Sequence, residues 1–154
     1  MLRPPRERGF TLIEVLMSVV IIGMLVGMSL PIYQSFQTRN DLAIATEGVA
    51  GMLRRAQTYA RGMSNTIQND TALWGVHVEV GSATLFKGAS YAARDTSLDE
   101  VMSIPATFSV AASDVRFSKM YGLPTATGTV ATITTNNTND SRTITINAKG
   151  MVSY

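Results

Sequence analysis

The sequence predicts an α+β chain: one long N-terminal helix, membrane-spanning in its first half and amphipathic in its second, packed on a C-terminal antiparallel β-rich head. Three observations carry this prediction. An apolar run extends from Phe10 through Leu30. A stripe at helical spacing follows it, and beyond Ser64-Asn65 the apolar period falls to two.

The run Phe10–Leu30 counts 21 residues. At 1.5 Å per residue a helix of that length spans about 30 Å, the thickness of a bilayer's hydrocarbon core. Arg3, Arg6 and Arg8 precede it and no comparable cluster follows closely, so the positive-inside bias keeps the N-terminus cytoplasmic and sends the rest of the chain outward. An ordinary secretory signal has a shorter core of about 7 to 15 residues ending in a small-residue cleavage site. Here the run ends in Ser29-Leu30-Pro31-Ile32-Tyr33, without that pattern. The small residue at a charge-to-apolar boundary is Gly9, in front of the run, where cleavage removes the basic leader and keeps the helix. Glu14 is the one carboxylate inside the run. A charge at mid-membrane costs about 2.5 to 3.5 kcal/mol on insertion scales, so it needs a partner. A plain signal anchor, with Glu14 near the headgroups, leaves Gly9 and the string Phe10-Thr11-Leu12-Ile13-Glu14 unexplained.

From Gln34 the chain turns polar on one face. Leu42, Ala45, Val49, Met52, Leu53, Ala56, Ala60 and Met63 follow helical steps, while Arg54, Arg55, Gln57 and Arg61 point elsewhere. The helix is expected to end near Gly62, with a kink at Pro31 and local weakening at Gly48 and Gly51. Gly23 and Gly27 form a GxxxG pair that suits close helix approach in a membrane.

Strands are predicted at 73–80, with Trp74, Val76, Val78 and Val80 on one face, and at 83–87 after the Gly81-Ser82 turn. Further strands fall at 106–110, 115–119, 129–134 and 142–147, with a short last one at 151–154. Asn136 to Asp140 is a turn, and residues 88–104 read as a long loop.

Composition narrows the function. Lys and Arg number 13 against 11 Asp and Glu, and loss of residues 1–9 removes Arg3, Arg6, Arg8 and Glu7, leaving 10 of each. A globally basic nucleic-acid binder is not what remains. There is no cysteine, so disulfides and thiolate metal sites are excluded. His77 is the only histidine, and as a member of an alternating strand it shares a face with Glu79. It reads as a surface or loop-capped residue, because no nucleophile or orienting group is placed beside it. Asp95, Asp99 and Glu100 lack the ligand spacing of a calcium loop and read as a solvated acidic loop. No catalytic, cofactor-binding or metal-binding residue is assigned, and the chain is not read as an enzyme. Asn69, Asn136 and Asn139 begin glycosylation triplets of the kind that arise easily in Thr- and Asn-rich sequence.

The basic leader ending in Gly9, the string Phe10 to Glu14, and the helix carrying Pro31 resemble the type IV prepilin family. The resemblance implies a pilin-like fold divided into a leader 1–9, a transmembrane and assembly helix 10–30, an amphipathic continuation 31–63 and a head 64–154. It implies cleavage after Gly9 by prepilin peptidase, N-methylation of Phe10, and pairing of Glu14 with the N-terminal amine of a neighbouring subunit. The implied partners are that peptidase, other pilins or pseudopilins, and an inner-membrane assembly platform. The implied location is the inner membrane, single-pass with the N-terminus cytoplasmic, then an extracytoplasmic filament. Looser patterns resemble minor pilins and pseudopilins of the GspH/FimT type: Leu53 to Ala60, Trp74 to Val78, Val115 to Ser118 with Gly122-Leu123-Pro124, and Arg142 to Ile146 with Gly150. The expected role is a structural subunit of a type IV pilus or a type II secretion pseudopilus. The alternative is a pilus-tip DNA receptor for transformation. Members credited with that role carry a Gly-Arg-x-Arg-like element near the C-terminus, where this chain has Gly150-Met151-Val152-Ser153.

Overall fold

A single helix, α1 (Leu12–Gly62), dominates the computed structural model, which describes residues 9–62, 73–136 and 140–154. Met63, residues 64–72, Asn69 and Asn139 lie outside the described residues, as do leader residues 1–8. The chain forms two compact units, one ending at Gln37 and one running from Thr38 to Tyr154.

In the first unit, large apolar side chains between Phe10 and Met28 are exposed around the whole helix circumference. Such a segment belongs in a lipid or protein environment rather than in water. An 18-residue window within α1 reaches a mean hydropathy of 2.4, so the helix is long and apolar enough to cross a membrane. Helix assignment continues through Pro31. Proline has no N–H to give the carbonyl four residues earlier, at Gly27, so that rung of the helix is missing.

In the second unit α1 buries one face. Leu42, Ala45, Val49, Met52, Leu53, Ala56 and Ala60 all join the core, as the stripe predicts, and Ala50 and Thr46 join them. Thr46 is buried without cost because its hydroxyl donates to the Leu42 carbonyl at 2.7 Å. Ala45, Ala50, Ala56 and Ala60 supply small buried side chains to this face. A Cβ on Gly48 would press on the end of the Met102 side chain, which lies over the helix at this point.

Among the described residues, eight strands form two four-stranded antiparallel sheets: β1 (Leu73–Glu79), β2 (Ser82–Gly88), β3 (Glu100–Ser103), β4 (Phe108–Val110), β5 (Ser113–Phe117), β6 (Gly128–Thr135), β7 (Ser141–Ile146) and β8 (Val152–Ser153). Their orders are β3-β2-β1-β5 and β4-β6-β7-β8. The fold is therefore α+β and pilin-like. Val76, Val78, Ala83 and Leu85 from one sheet and Ile133, Ile144 and Ile146 from the other share one hydrophobic cluster with α1.

Two sequence expectations need correction. Val80 does not continue the buried face of β1, because Glu79 pairs with Ser82 and Val80-Gly81 form the hairpin turn, leaving Val80 exposed. Gly81 takes φ +92°, the left-handed value that the second turn position demands. Residues 88–104 are also not a bare loop. They contain a bridge between Gly88 and Arg94, a 3-10 turn at Thr96–Leu98 and β3. As an edge strand, β3 buries little and leaves Val101 exposed, so its four residues carry no apolar alternation to read.

Candidate assembly and processing site

The helix start is built by Thr11. Its carbonyl accepts from the Glu14 and Val15 amides at 3.1 and 3.2 Å, and its hydroxyl accepts from the Glu14 amide at 3.4 Å. Thr11-Leu12-Ile13-Glu14 thus has the Thr-x-x-Glu form of a capping box, with Glu14 in the first turn of α1. The carboxylate lies where the helix dipole is positive and where amides lack intrahelical partners. That local role is an addition to the sequence reading, which weighed Glu14 only as a buried charge; the spacing from Thr11 was the available signal.

Gly9 and Phe10 precede the helix, and Phe10 is 81% exposed. A Cβ on Gly9 would touch nothing within 4 Å, and its φ is not left-handed. Among the described residues, no contact therefore calls for glycine at position 9. Gly23 and Gly27 are equally open, so their missing side chains serve no contact within the chain.

Cleavage after Gly9 would place a new α-amine on Phe10, close to the positive end of α1. An amine there adds charge of the same sign as the dipole, in a segment whose neighbours are apolar. The first-turn carboxylate of Glu14 has the sign and position needed to offset it. Ser18 is satisfied separately, donating to the Glu14 carbonyl oxygen at 2.7 Å.

In the head, the sequence-singled polar residues have structural partners. His77 stacks on Tyr91 with centroids 3.8 Å apart and planes 13° apart, and lies 3.8 Å from Glu79 and 3.6 Å from Asp114. Arg94 sits 3.8 Å from the Tyr91 ring centre, and both close stackers cannot share one face, so Tyr91 is sandwiched between His77 and Arg94. Among the described residues no hydroxyl hydrogen-bonds to either His77 nitrogen, so a nucleophile–base pair is not formed. The His77 face of the sheet is instead roofed by the segment after β2: Arg116 donates to the Ala89 carbonyl, and Phe86 meets Tyr91 edge-on at 5.6 Å.

Of the three loop carboxylates Asp95 is exposed and Glu100 partly so, as a solvated acidic loop would have them, whereas Asp99 is not. Asp95 accepts from the Ser97 hydroxyl at 2.6 Å and amide at 3.1 Å, capping the 3-10 turn, and these bonds hold its carboxyl below the usual range. Asp99 is mostly buried and pairs with Arg94 at 2.7 Å, which raises the guanidinium's proton affinity further. Glu100 pairs with Arg55 at 2.5 Å. The solvated reading fails for Asp99 alone, which the Arg94 guanidinium draws out of solvent. Among the described residues, no group of three or more His, Cys, Asp or Glu could hold a metal ion. Asn136 lies exposed in the β6–β7 turn.

Residues 4–30 match the family model for the prokaryotic N-terminal methylation motif. That stretch contains Gly9, Phe10, Glu14 and the first part of α1. Together with a long N-terminal helix and a β-rich head, it supports a type IV prepilin-like protein. No curated protein and no solved structure matches the chain.

Proposed function

We propose that the chain is a minor pilin or pseudopilin: a structural subunit of a type IV pilus or a type II secretion pseudopilus, of the GspH/FimT type. The observation that carries this reading is the coincidence of the methylation motif over residues 4–30 with a glycine at position 9 that no contact among the described residues requires. Prepilin peptidase cleaves after Gly9 and methylates Phe10. The subunit waits in the inner membrane on α1, N-terminus inward, and is then drawn by the assembly platform into a filament where Glu14 meets a neighbour's amine. Pro31 bends the helix between its membrane and head portions. The protein acts through assembly, not catalysis.

A bulky residue at the leader boundary tests this directly. Gly9→Leu changes nothing that the fold uses, so the precursor is expected to insert normally and stay uncleaved in the membrane, absent from sheared filaments. Normal cleavage of Gly9→Leu at the same bond would contradict the assignment.

A further inference from the structure

The helix face Arg54–Gln57–Arg61 carries two loops that meet over Gln57. Its side-chain amide donates to the Gly122 carbonyl at 2.9 Å and reaches the Lys149 carbonyl at 3.5 Å. The approach is close enough that a Cβ on Gly150, at φ +81°, would collide with the Gln57 amide nitrogen and crowd the Gly122 carbonyl. Arg61 donates to the Tyr121 carbonyl at 3.3 Å, and the Met120 amide donates to the Ala60 carbonyl at 3.3 Å. Met120 itself sits at φ +69°, the one non-glycine residue in the left-handed region among those described.

This anchoring does not bury the side chains it fixes. Tyr121 is 69% exposed, Met120 55%, Met151 64% and Tyr154 48%, with the Arg54 guanidinium 5.6 Å above the Tyr154 ring. A disfavoured backbone held by several hydrogen bonds, in order to present apolar side chains to solvent, points to a contact outside the chain. Two Met, two Tyr and two Arg are the residue types enriched at protein–protein contacts and at their energetic anchors. A nucleic acid fits less well, because Met side chains offer no stacking platform and two arginines neutralise few phosphates.

We propose that this Met-Tyr-Arg patch is a docking surface for the head of a different pilin-like subunit that presents carboxylates around an apolar centre. Among the described residues, neither Arg54 nor Arg61 has a carboxylate within ion-pair distance, so the complementary charge is left to the partner. A second copy meeting the same patch through a two-fold axis would bring four guanidiniums together. The contact is therefore between unlike faces, as an open filament requires. The proposal rests on the filament-subunit reading for the partner's identity, but not for the chemistry of the patch.

The test uses the full chain in cells that process and assemble it. A photo-crosslinking amino acid replaces Tyr121, and in a control strain it replaces Val101, an exposed residue of β3. The Tyr121 position is expected to crosslink to one defined Asp- or Glu-bearing peptide on another methylation-motif subunit, which the Val101 position does not reach. Arg54→Glu with Arg61→Glu should lower the yield about tenfold or more, the loss expected of an interface anchor, and Lys at the crosslinked carboxylate should restore it. Met120→Gly removes both the side chain and the backbone strain, so it should keep or raise the head's thermal midpoint while still lowering the yield; that separates docking from folding. Crosslinking to nucleic acid, to the same patch of a second copy, or no more strongly than from Val101 would overturn the proposal, as would failure of the charge swap. A specific, swappable crosslink in cells where Glu14→Ala leaves filaments intact would sustain the patch while refuting the assembly role of Glu14.

Discussion

Glu14→Ala separates the two things this carboxylate does. Within its own chain Glu14 occupies the third position of a helix capped by Thr11, so its loss removes a dipole and capping contribution of about 0.3–1 kcal/mol. Its removal also relieves the cost of carrying a charge into the membrane, at most about 2.5–3.5 kcal/mol and less near the interface. The isolated subunit should therefore insert at least as well as wild type. In a filament the balance reverses. Deleting one member of a buried ion pair leaves a bare amine and costs about 3–5 kcal/mol. At about 1.4 kcal/mol per tenfold, incorporation should fall on the order of a hundred- to thousand-fold. The assay compares subunit in sheared filaments with subunit in membranes, with Glu14→Asp keeping the charge as a control. Incorporation of Glu14→Ala within about twofold of wild type, where 1 kcal/mol already shifts an equilibrium roughly fivefold, would refute the pairing.

Two other outcomes test the head. Leu53 is fully buried where α1 meets the sheets, so Leu53→Ala should destabilise the protein by about 2–5 kcal/mol, seen as a lower thermal midpoint; an unchanged midpoint would mean that this helix face does not organise the core. Asp95 titrates below its ordinary 3.8 because Ser97 donates to its charged form. Its folded value lies under its unfolded one, so its capping contribution is complete above about pH 4 and disappears as pH falls through the folded value. A carboxyl titration followed by NMR should have its midpoint below 3.8, and a midpoint at or above it would remove the cap from the account.

Much of α1 is legible because burial on a helix leaves a periodic trace. The stripe from Leu42 to Ala60 places the core face. Twofold alternation likewise reveals β1, β6 and β7, whose faces differ in burial, while β2, buried on both faces from Ala83 to Phe86, is signalled by the Gly81-Ser82 turn before it. β3 escapes because it is a short edge with an exposed valine, and Val80 misleads because a turn interrupts the alternation before its apolar side chain can turn inward. The processing segment is readable from residue types alone, since Gly9 and Glu14 stand out against their neighbours. Contacts that join distant segments leave no such trace. Tyr91 between His77 and Arg94, and Gln57 beneath the carbonyls of Gly122 and Lys149, depend on the closed fold and not on local spacing.

The central claim, that residues 1–9 are a leader and α1 is retained as the assembly helix, is tested most directly by the intact mass of the wild-type chain recovered from membranes and filaments. The account predicts a mature chain beginning at Phe10 and carrying one added methyl group on its terminal nitrogen. A mature chain beginning beyond Leu30, with the apolar helix removed, would contradict it.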